Sequence, residues 1–157
     1  MPATVQSLLA AANAAVPRIS TAQATDLAKG GNVLFVDVRD AAEVAASGKV
    51  PGAVHVPRGL LEFRADPESS THSAAFDRGK TVIVYCASGG RSALAGKTLL
   101  DMGYTDVRNL GGFKDWWMAA ARSRRSEPRR HSGRSAGIFG RPRPDGPTGA
   151  VSRGRMR

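Results

Sequence analysis

Residues 82–92 read VIVYCASGGRS, and this stretch decides both the predicted fold and the predicted site. A run of apolar residues ends at Cys86, the only cysteine among the 157 residues. A short loop with Gly89 and Gly90 follows, and Arg91 leads into a helix-favouring run. The pattern predicts a buried strand that delivers one thiol to the start of a helix. Unpaired backbone N–H groups and the positive end of the helix dipole favour a thiolate there.

The net charge of +10 is concentrated near the carboxyl terminus. Up to Ala121 the chain has 12 Lys and Arg against 11 Asp and Glu, whereas from Arg122 onward it has 11 against 2. The globular part is therefore nearly neutral, and its charge gives no reason to expect nucleic-acid binding. A single cysteine excludes an internal disulfide and a cysteine-based zinc site. Three scattered histidines form no metal-ligand pattern, so we expect neither a metal nor a cofactor.

Helices and strands alternate along most of the chain. Sequence patterns predict helices over residues 5–15, 20–29, 40–48, 60–65, 92–101 and 113–121. They predict strands over residues 33–38, 53–56, 81–85 and 107–110, with a tight turn at Gly111 and Gly112. This alternation favours an α/β domain around a mostly parallel sheet. Ligands of such sheets gather at the carboxyl ends of the strands, where Cys86 lies.

The composition divides the chain into three parts. Residues 1–16 are predicted to form a helical N-terminal extension, and residues 17–121 the folded domain. Residues 122–157 consist largely of Arg, Gly, Pro and Ser, cannot bury enough apolar surface, and are predicted to be disordered. Dense Arg can hold RNA phosphates, but one aromatic residue, Phe139, and no repeated Arg-Gly-Gly unit argue against nucleic-acid binding. A shifted reading frame in a GC-rich gene would encode the same composition.

No apolar run approaches the roughly 20 residues that a membrane span needs. The chain has no Lys or Arg before Arg18, whereas a secretory signal begins with positive charge. We therefore expect a cytoplasmic protein without a membrane partner.

The small residues after the cysteine allow the backbone to curl around the sulfur. Such a cradle stabilises negative charge on or beside the sulfur, as in a persulfide, a thiosulfate or a phosphate. Arg91 would add a permanent cation at the rim. The predicted substrate-binding loop comprises Ala87, Ser88, Gly89, Gly90, Arg91 and Ser92.

Two further motifs flank this loop in the sequence. Residues 35–57 read FVDVRDAAEVAASGKVPGAVHVP, and residues 99–117 read LLDMGYTDVRNLGGFKDWW. Together with the cysteine loop, they resemble the three ordered hallmarks of the rhodanese family of sulfurtransferases over residues 17–121. The resemblance implies a three-layer domain with a central, mostly parallel, five-stranded sheet flanked by helices.

The resemblance also implies a chemistry. Cys86 would be the nucleophile and would carry a persulfide between a sulfur donor, thiosulfate or another persulfide, and an acceptor, cyanide or a thiol. A protein persulfide could also serve as partner. Ala87 stands where thiosulfate-using members often have a basic residue, and Lys49 stands where the family usually has His. The first departure argues against strong thiosulfate recognition and favours another persulfide as the donor.

Two alternatives to this activity remain. The domain could be a rhodanese-like binding module without turnover. It could also be related to the phosphatases and arsenate reductases that resemble this fold. Those enzymes place five residues between Cys and Arg, whereas four residues separate Cys86 from Arg91. The smaller ring suits a sulfur atom better than a phosphate.

Asp37, Arg39 and Glu43 are predicted to support the site. They could line the pocket, but we favour a structural role, in which Asp37 accepts hydrogen bonds and Arg39 pairs with Glu43 four residues later. His55 and His72 are expected to be structural. One of Trp116 and Trp117 should pack in the core and the other at its edge, and Ser92 is expected as a first-turn hydroxyl.

Overall fold

The computed structural model of the chain describes residues 1–126. Residues 127–157 lie outside the described residues, so disorder of that part of the tail stays a prediction. Within residues 1–126, no helix is long and apolar enough to cross a membrane.

Ten elements and one short 3₁₀ turn make up the described chain. The helices are α1 Val5–Ala15, α2 Thr21–Lys29, α3 Ala41–Ser47, α4 Leu61–Ala65, α5 Gly90–Asp101 and α6 Phe113–Ser126. The strands are β1 Val33–Asp37, β2 Val54–His55, β3 Thr81–Cys86 and β4 Val107–Gly112, and the 3₁₀ turn is Arg58–Leu60. The predicted alternation of helices and strands is confirmed.

The strands form one parallel sheet in the order β2-β1-β3-β4. Residues 1–126 contain four strands in this sheet, not the five that the resemblance implied. In place of a fifth strand, Arg18 forms a single parallel bridge to Asn109 on the outer edge of β4. The segment is too short to extend further, because Pro17 has no N–H and Ser20 already caps α2.

The sheet is buried on both faces, which gives the predicted three layers. Along β3, the side chains of Val82, Val84 and Cys86 join a cluster with residues of α4 and α5, and with Val16 after α1. The alternate side chains, Ile83 and Tyr85, join a second cluster that includes residues of α2 and α6. A continuous apolar strand is what burial on both faces requires.

Several boundaries differ from their predicted positions, most of them by one or two residues. Helix α5 begins at Gly90 rather than residue 92, and α6 continues to Ser126, because no Gly or Pro interrupts the run of Ala, Ser and Arg. The predicted tight turn at Gly111 and Gly112 is wrong, because both glycines belong to β4. Leu110 is instead the extra residue of a register shift, with Gly111 at φ +89°.

Candidate active site at the end of strand β3

Cys86 is the last residue of β3, at the carboxyl edge of the sheet, and its side chain is fully buried. The chain then passes through the exposed residues Ala87 and Ser88 to Gly89, which is buried. Gly89 has φ +105°, a conformation that other residues rarely adopt, and it is the residue from which α5 begins. This left-handed turn directs the backbone back around the sulfur.

Several hydrogen-bond donors of the loop lie around the sulfur. The backbone N–H of Gly89 donates to Sγ at 3.0 Å, and the hydroxyl Oγ of Ser92 lies 3.4 Å from it. Burial alone would raise the pKa of the Cys86 thiol, but hydrogen bonds from the Ser92 hydroxyl and from the backbone N–H groups of Ser92, Gly89 and Ser88 outweigh burial and lower it. The loop therefore stabilises a thiolate, as its sequence predicts.

Asn109 of β4 lies behind the loop and is only 1% exposed. Its Oδ1 accepts hydrogen bonds from the Ser92 hydroxyl at 2.8 Å and from the Gly111 N–H at 2.9 Å. Its Nδ2 donates to the Gly89 carbonyl at 3.2 Å. The sequence patterns above do not single out this residue, although an amide side chain within a predicted strand was a signal that it serves a polar network.

Arg91 does not stand free at the rim. Its guanidinium binds the Glu43 carboxylate, at 2.7 Å from Nη1 to Oε2 and 2.8 Å from Nη2 to Oε1. The Arg91 hydrogen bonds, reinforced by the Asp40 N–H, lower the pKa of Glu43 to about 2. The predicted Arg39–Glu43 pair is therefore wrong, because the active-site loop brings Arg91 to Glu43 from 48 residues away.

Arg39 pairs instead with Asp37, two residues back. The Nη2 of Arg39 lies 2.7 Å from Oδ2 of Asp37, and both side chains are almost fully buried. Burial opposes ionisation of Asp37, but side-chain and backbone hydrogen bonds from Arg39 outweigh it and lower its pKa. Arg39 also binds the Gly48 carbonyl and lies over the ring of Phe113, 4.2 Å from the centroid. The pair holds β1 to the turn after α3 and has no contact with Cys86.

Arg18 contacts the same loop from the edge of the sheet. Its guanidinium lies against the Cα atoms of Gly89 and Gly111, in the space that side chains at these positions would fill. A Cβ built on Gly89 would lie 2.9 Å from Nη1 of Arg18. The two glycines are therefore required both by their positive φ and by this close approach.

The other singled-out residues lie away from the sulfur. His55 contacts the Arg39 carbonyl through Nε2, as a structural histidine would. Trp116 packs against the second core cluster and stacks on Phe113. Trp117 is half-exposed, and its ring is tilted against that of Phe113. Within the part of the chain that the structure describes, no three His, Cys, Asp or Glu side chains come together as metal ligands.

The fold and the site together define a class of protein, the parallel α/β domains with a cysteine cradle at the end of a central strand. Comparison with known sequences identifies the family. The family model of the rhodanese-like domain matches residues 20–119. The chain belongs to the rhodanese-like family.

Its relatives include several sulfurtransferases. It is 36% identical over 91 residues to a sulfurtransferase of Allochromatium vinosum, covering 57% of this chain and 77% of that protein. It is 29% identical to the human thiosulfate:glutathione sulfurtransferase, covering 66% of this chain and 95% of that protein.

Solved structures share the fold. A Rhodopseudomonas palustris protein of unknown function, named as a possible tyrosine phosphatase, superposes with a TM-score of 0.69 at 40% identity, covering 76% of this chain and 96% of that one. A human single-domain sulfurtransferase superposes with a TM-score of 0.57 at 27% identity, covering 66% of this chain and 96% of that one.

Proposed function

We propose that this protein is a sulfurtransferase that moves a sulfane sulfur from a donor, thiosulfate or a persulfide, to a thiophilic acceptor, cyanide or a thiol, through a persulfide on Cys86. One observation carries the proposal: the buried Cys86 sulfur accepts a hydrogen bond from the Gly89 N–H at 3.0 Å and has a lowered pKa. The sulfurtransferases among its relatives support the same chemistry.

The first half-reaction loads the cysteine. The Cys86 thiolate attacks the outer sulfur of thiosulfate, and a new S–S bond forms on Sγ. The bond between the two sulfur atoms of thiosulfate breaks, and its electron pair leaves with sulfite. Charge is conserved, because a thiolate and a dianion become a persulfide anion and sulfite dianion. No oxidant or reductant is needed.

The second half-reaction returns the thiolate. Cyanide or a thiolate attacks the outer sulfur of the persulfide, the S–S bond breaks, and its electron pair returns to Sγ. The products are thiocyanate or a new persulfide, and the two half-reactions together form a ping-pong cycle.

The loop supplies the electrostatic stabilisation for both steps. Developing charge on sulfur lies among fixed donors, and each well-placed donor in such a site contributes about 3 kcal/mol to transition-state stabilisation. The donors here include the backbone N–H of Gly89 and the hydroxyl of Ser92. The Arg91–Glu43 pair ties the loop to the start of α3 rather than offering a free cation.

Phosphatase activity is the second candidate, because the Rhodopseudomonas palustris structure at 40% identity is named as a possible tyrosine phosphatase. Two features of this loop count against it. Four residues separate Cys86 from Arg91, and the Arg91 guanidinium, which would bind a phosphate, is held by Glu43 at 2.7 Å.

One set of assays separates the candidates. Purified protein is mixed with thiosulfate and cyanide, and thiocyanate is followed, while p-nitrophenyl phosphate is offered in parallel. We expect thiocyanate and no phosphate release. Mass spectrometry after donor alone should show one added sulfur atom on Cys86.

Cys86→Ser is the control for both assays. It should abolish thiocyanate formation, and turnover that survives it would overturn the nucleophile assignment. A folded wild-type protein that loads no sulfur from thiosulfate or from an alkyl persulfide would indicate a binding module instead.

A further inference from the structure

We propose that Asn109 is a positioning residue for the sulfur cradle, holding the Gly89 peptide and the Ser92 hydroxyl against Cys86. The inference deepens the proposed function, on which its relevance to sulfur transfer rests. Asn109 does not touch the sulfur itself. It contacts two residues that do, Gly89 and Ser92, and it reaches them from a different strand.

The side chain of Asn109 has three partners, and all three belong to segments at the site. Nδ2 donates to the Gly89 carbonyl at 3.2 Å, while the N–H of the same residue donates to Sγ at 3.0 Å. The Gly89 carbonyl also accepts the first helical hydrogen bond of α5, from the Ala93 N–H at 3.0 Å, so Asn109 and α5 together fix the orientation of Gly89, whose φ is +105°. The hydrogen bond from Asn109 therefore helps to direct the Gly89 N–H at the sulfur.

The contact with Ser92 works through its single hydroxyl proton. Because Ser92 donates that proton to Oδ1 of Asn109 at 2.8 Å, its 3.4 Å contact with the neutral thiol is one in which the S–H donates to Oγ. When Cys86 ionises, the Ser92 proton can turn to the thiolate. Oδ1 of Asn109 then keeps the hydrogen bond from Gly111 at 2.9 Å, so no buried acceptor is left unpaired.

Asn109 itself is fixed by the main chain around it. Its N–H donates to the Pro17 carbonyl at 2.9 Å, and its carbonyl accepts from the Ile19 N–H at 3.0 Å. These are the two hydrogen bonds of the edge bridge at Arg18. Residues 17–19, which precede the region matched by the family model, thus fix the backbone of Asn109. The side chain of Asn109 in turn fixes the loop after Cys86.

The charged groups near the sulfur do not position its hydrogen-bond donors. Arg91 interacts electrostatically with Cys86, and it is paired with Glu43. Asn109 carries no charge and contacts neither of them. A change at the Asn109 side chain therefore alters the hydrogen-bond donors to the thiolate without removing a contact of the Arg91–Glu43 pair.

The test measures the titration of the thiol in Asn109→Ala. Cys86 is the only cysteine, so the ultraviolet absorbance of its thiolate can be followed against pH, with Cys86→Ser as the blank. We expect the midpoint to rise by about one pH unit, because the Gly89 N–H loses its fixed direction towards the sulfur. An unchanged or lower midpoint would overturn the proposal.

Asn32→Ala is the matched control. Asn32 also donates through Nδ2 to a glycine carbonyl, that of Gly79 at 3.0 Å, but it precedes β1 at the opposite edge of the sheet. The control should lose stability and keep the wild-type thiol midpoint. This comparison separates loss of positioning from loss of stability.

A measurement on the wild-type protein covers the case in which Asn109→Ala does not fold. The ¹⁵N–¹H resonances of the Asn109 side-chain amide should shift with the same midpoint as the thiolate absorbance, and the shift should vanish in Cys86→Ser. An amide that does not respond overturns the proposal. Neither readout requires turnover, so failure of the proposed function would appear separately, as a normally ionised thiol that loads no sulfur.

Discussion

The guanidinium of Arg91 binds the carboxylate of Glu43 through two short hydrogen bonds, 2.7 and 2.8 Å long, that join the loop after Cys86 to the first turn of α3. The two residues are 48 positions apart in the sequence. A loop whose one cation is committed in this way relies on its N–H groups and the Ser92 hydroxyl to stabilise a charged sulfur.

This pair should make stability depend on pH in the acid range. The folded-state pKa of Glu43 is about 2, against an ordinary 4.5, so its contribution is complete above 4.5 and is lost as the pH falls towards 2. Urea unfolding at neutral pH and at successively lower pH should show that the wild type loses more stability than Glu43→Gln. Glu68→Gln, at an exposed position, should follow the wild type. Parallel curves for the wild type and Glu43→Gln would contradict the prediction.

The thiol of Cys86 should ionise more readily in the folded chain than in the unfolded one. Burial raises its pKa, but the hydrogen bonds from Ser92, Gly89 and Ser88 lower it by more. The rate of iodoacetamide labelling should therefore have a midpoint below the free-thiol value of about 8.5. The same protein in denaturant supplies the reference, and a native midpoint at or above the denatured one would refute an activated thiol.

The buried Asp37–Arg39 pair should be the most sensitive ionic contact in the domain. Asp37→Asn leaves the Arg39 guanidinium buried without its counter-charge, and we expect a loss of about 3 kcal/mol or more in the free energy of unfolding. Asp101→Asn breaks the exposed pair with Lys97 on α5 and should cost less than about 1 kcal/mol. Similar losses for the two variants in urea unfolding would contradict this account.

The cysteine loop could be predicted from sequence because its geometry is local. Cys86, Gly89 and Ser92 are neighbours along the chain, and a strand, a left-handed glycine and a helix start follow from residue types alone. The partners of the loop could not be predicted in the same way. Asn109 and Glu43 reach it from other elements, through contacts between residues 17 to 48 positions apart.

Two wrong predictions have a common origin in local spacing. The separation of Arg39 and Glu43 suits a pair along one helix, but Arg39 precedes α3 and bends back to Asp37. The double glycine of β4 suits a turn, but the bulge beside Val84 places both glycines within the strand. In each case a tertiary contact overrides the local structural preference that the sequence pattern indicates.

One of the contacts that hold the N-terminal helix to the domain can be tested by mutation. A Cβ built on Gly96 of α5 would lie 2.9 and 3.0 Å from the two Cγ atoms of Val16, which is itself 2% exposed. Gly96→Ala should therefore cost about 1–3 kcal/mol in the free energy of unfolding, although alanine is the better helix former by about 1 kcal/mol.

A double-mutant cycle combines Gly96→Ala with Val16→Ala, which removes the two Cγ methyl groups of Val16. In the Gly96→Ala background it should cost less than in the wild type, or restore stability, because the overlap disappears. Gly59→Ala, where no atom lies within 4 Å of the added Cβ, is the control and should be nearly neutral. Additive effects of Gly96→Ala and Val16→Ala in urea unfolding would show that α1 does not rest on α5 through this contact.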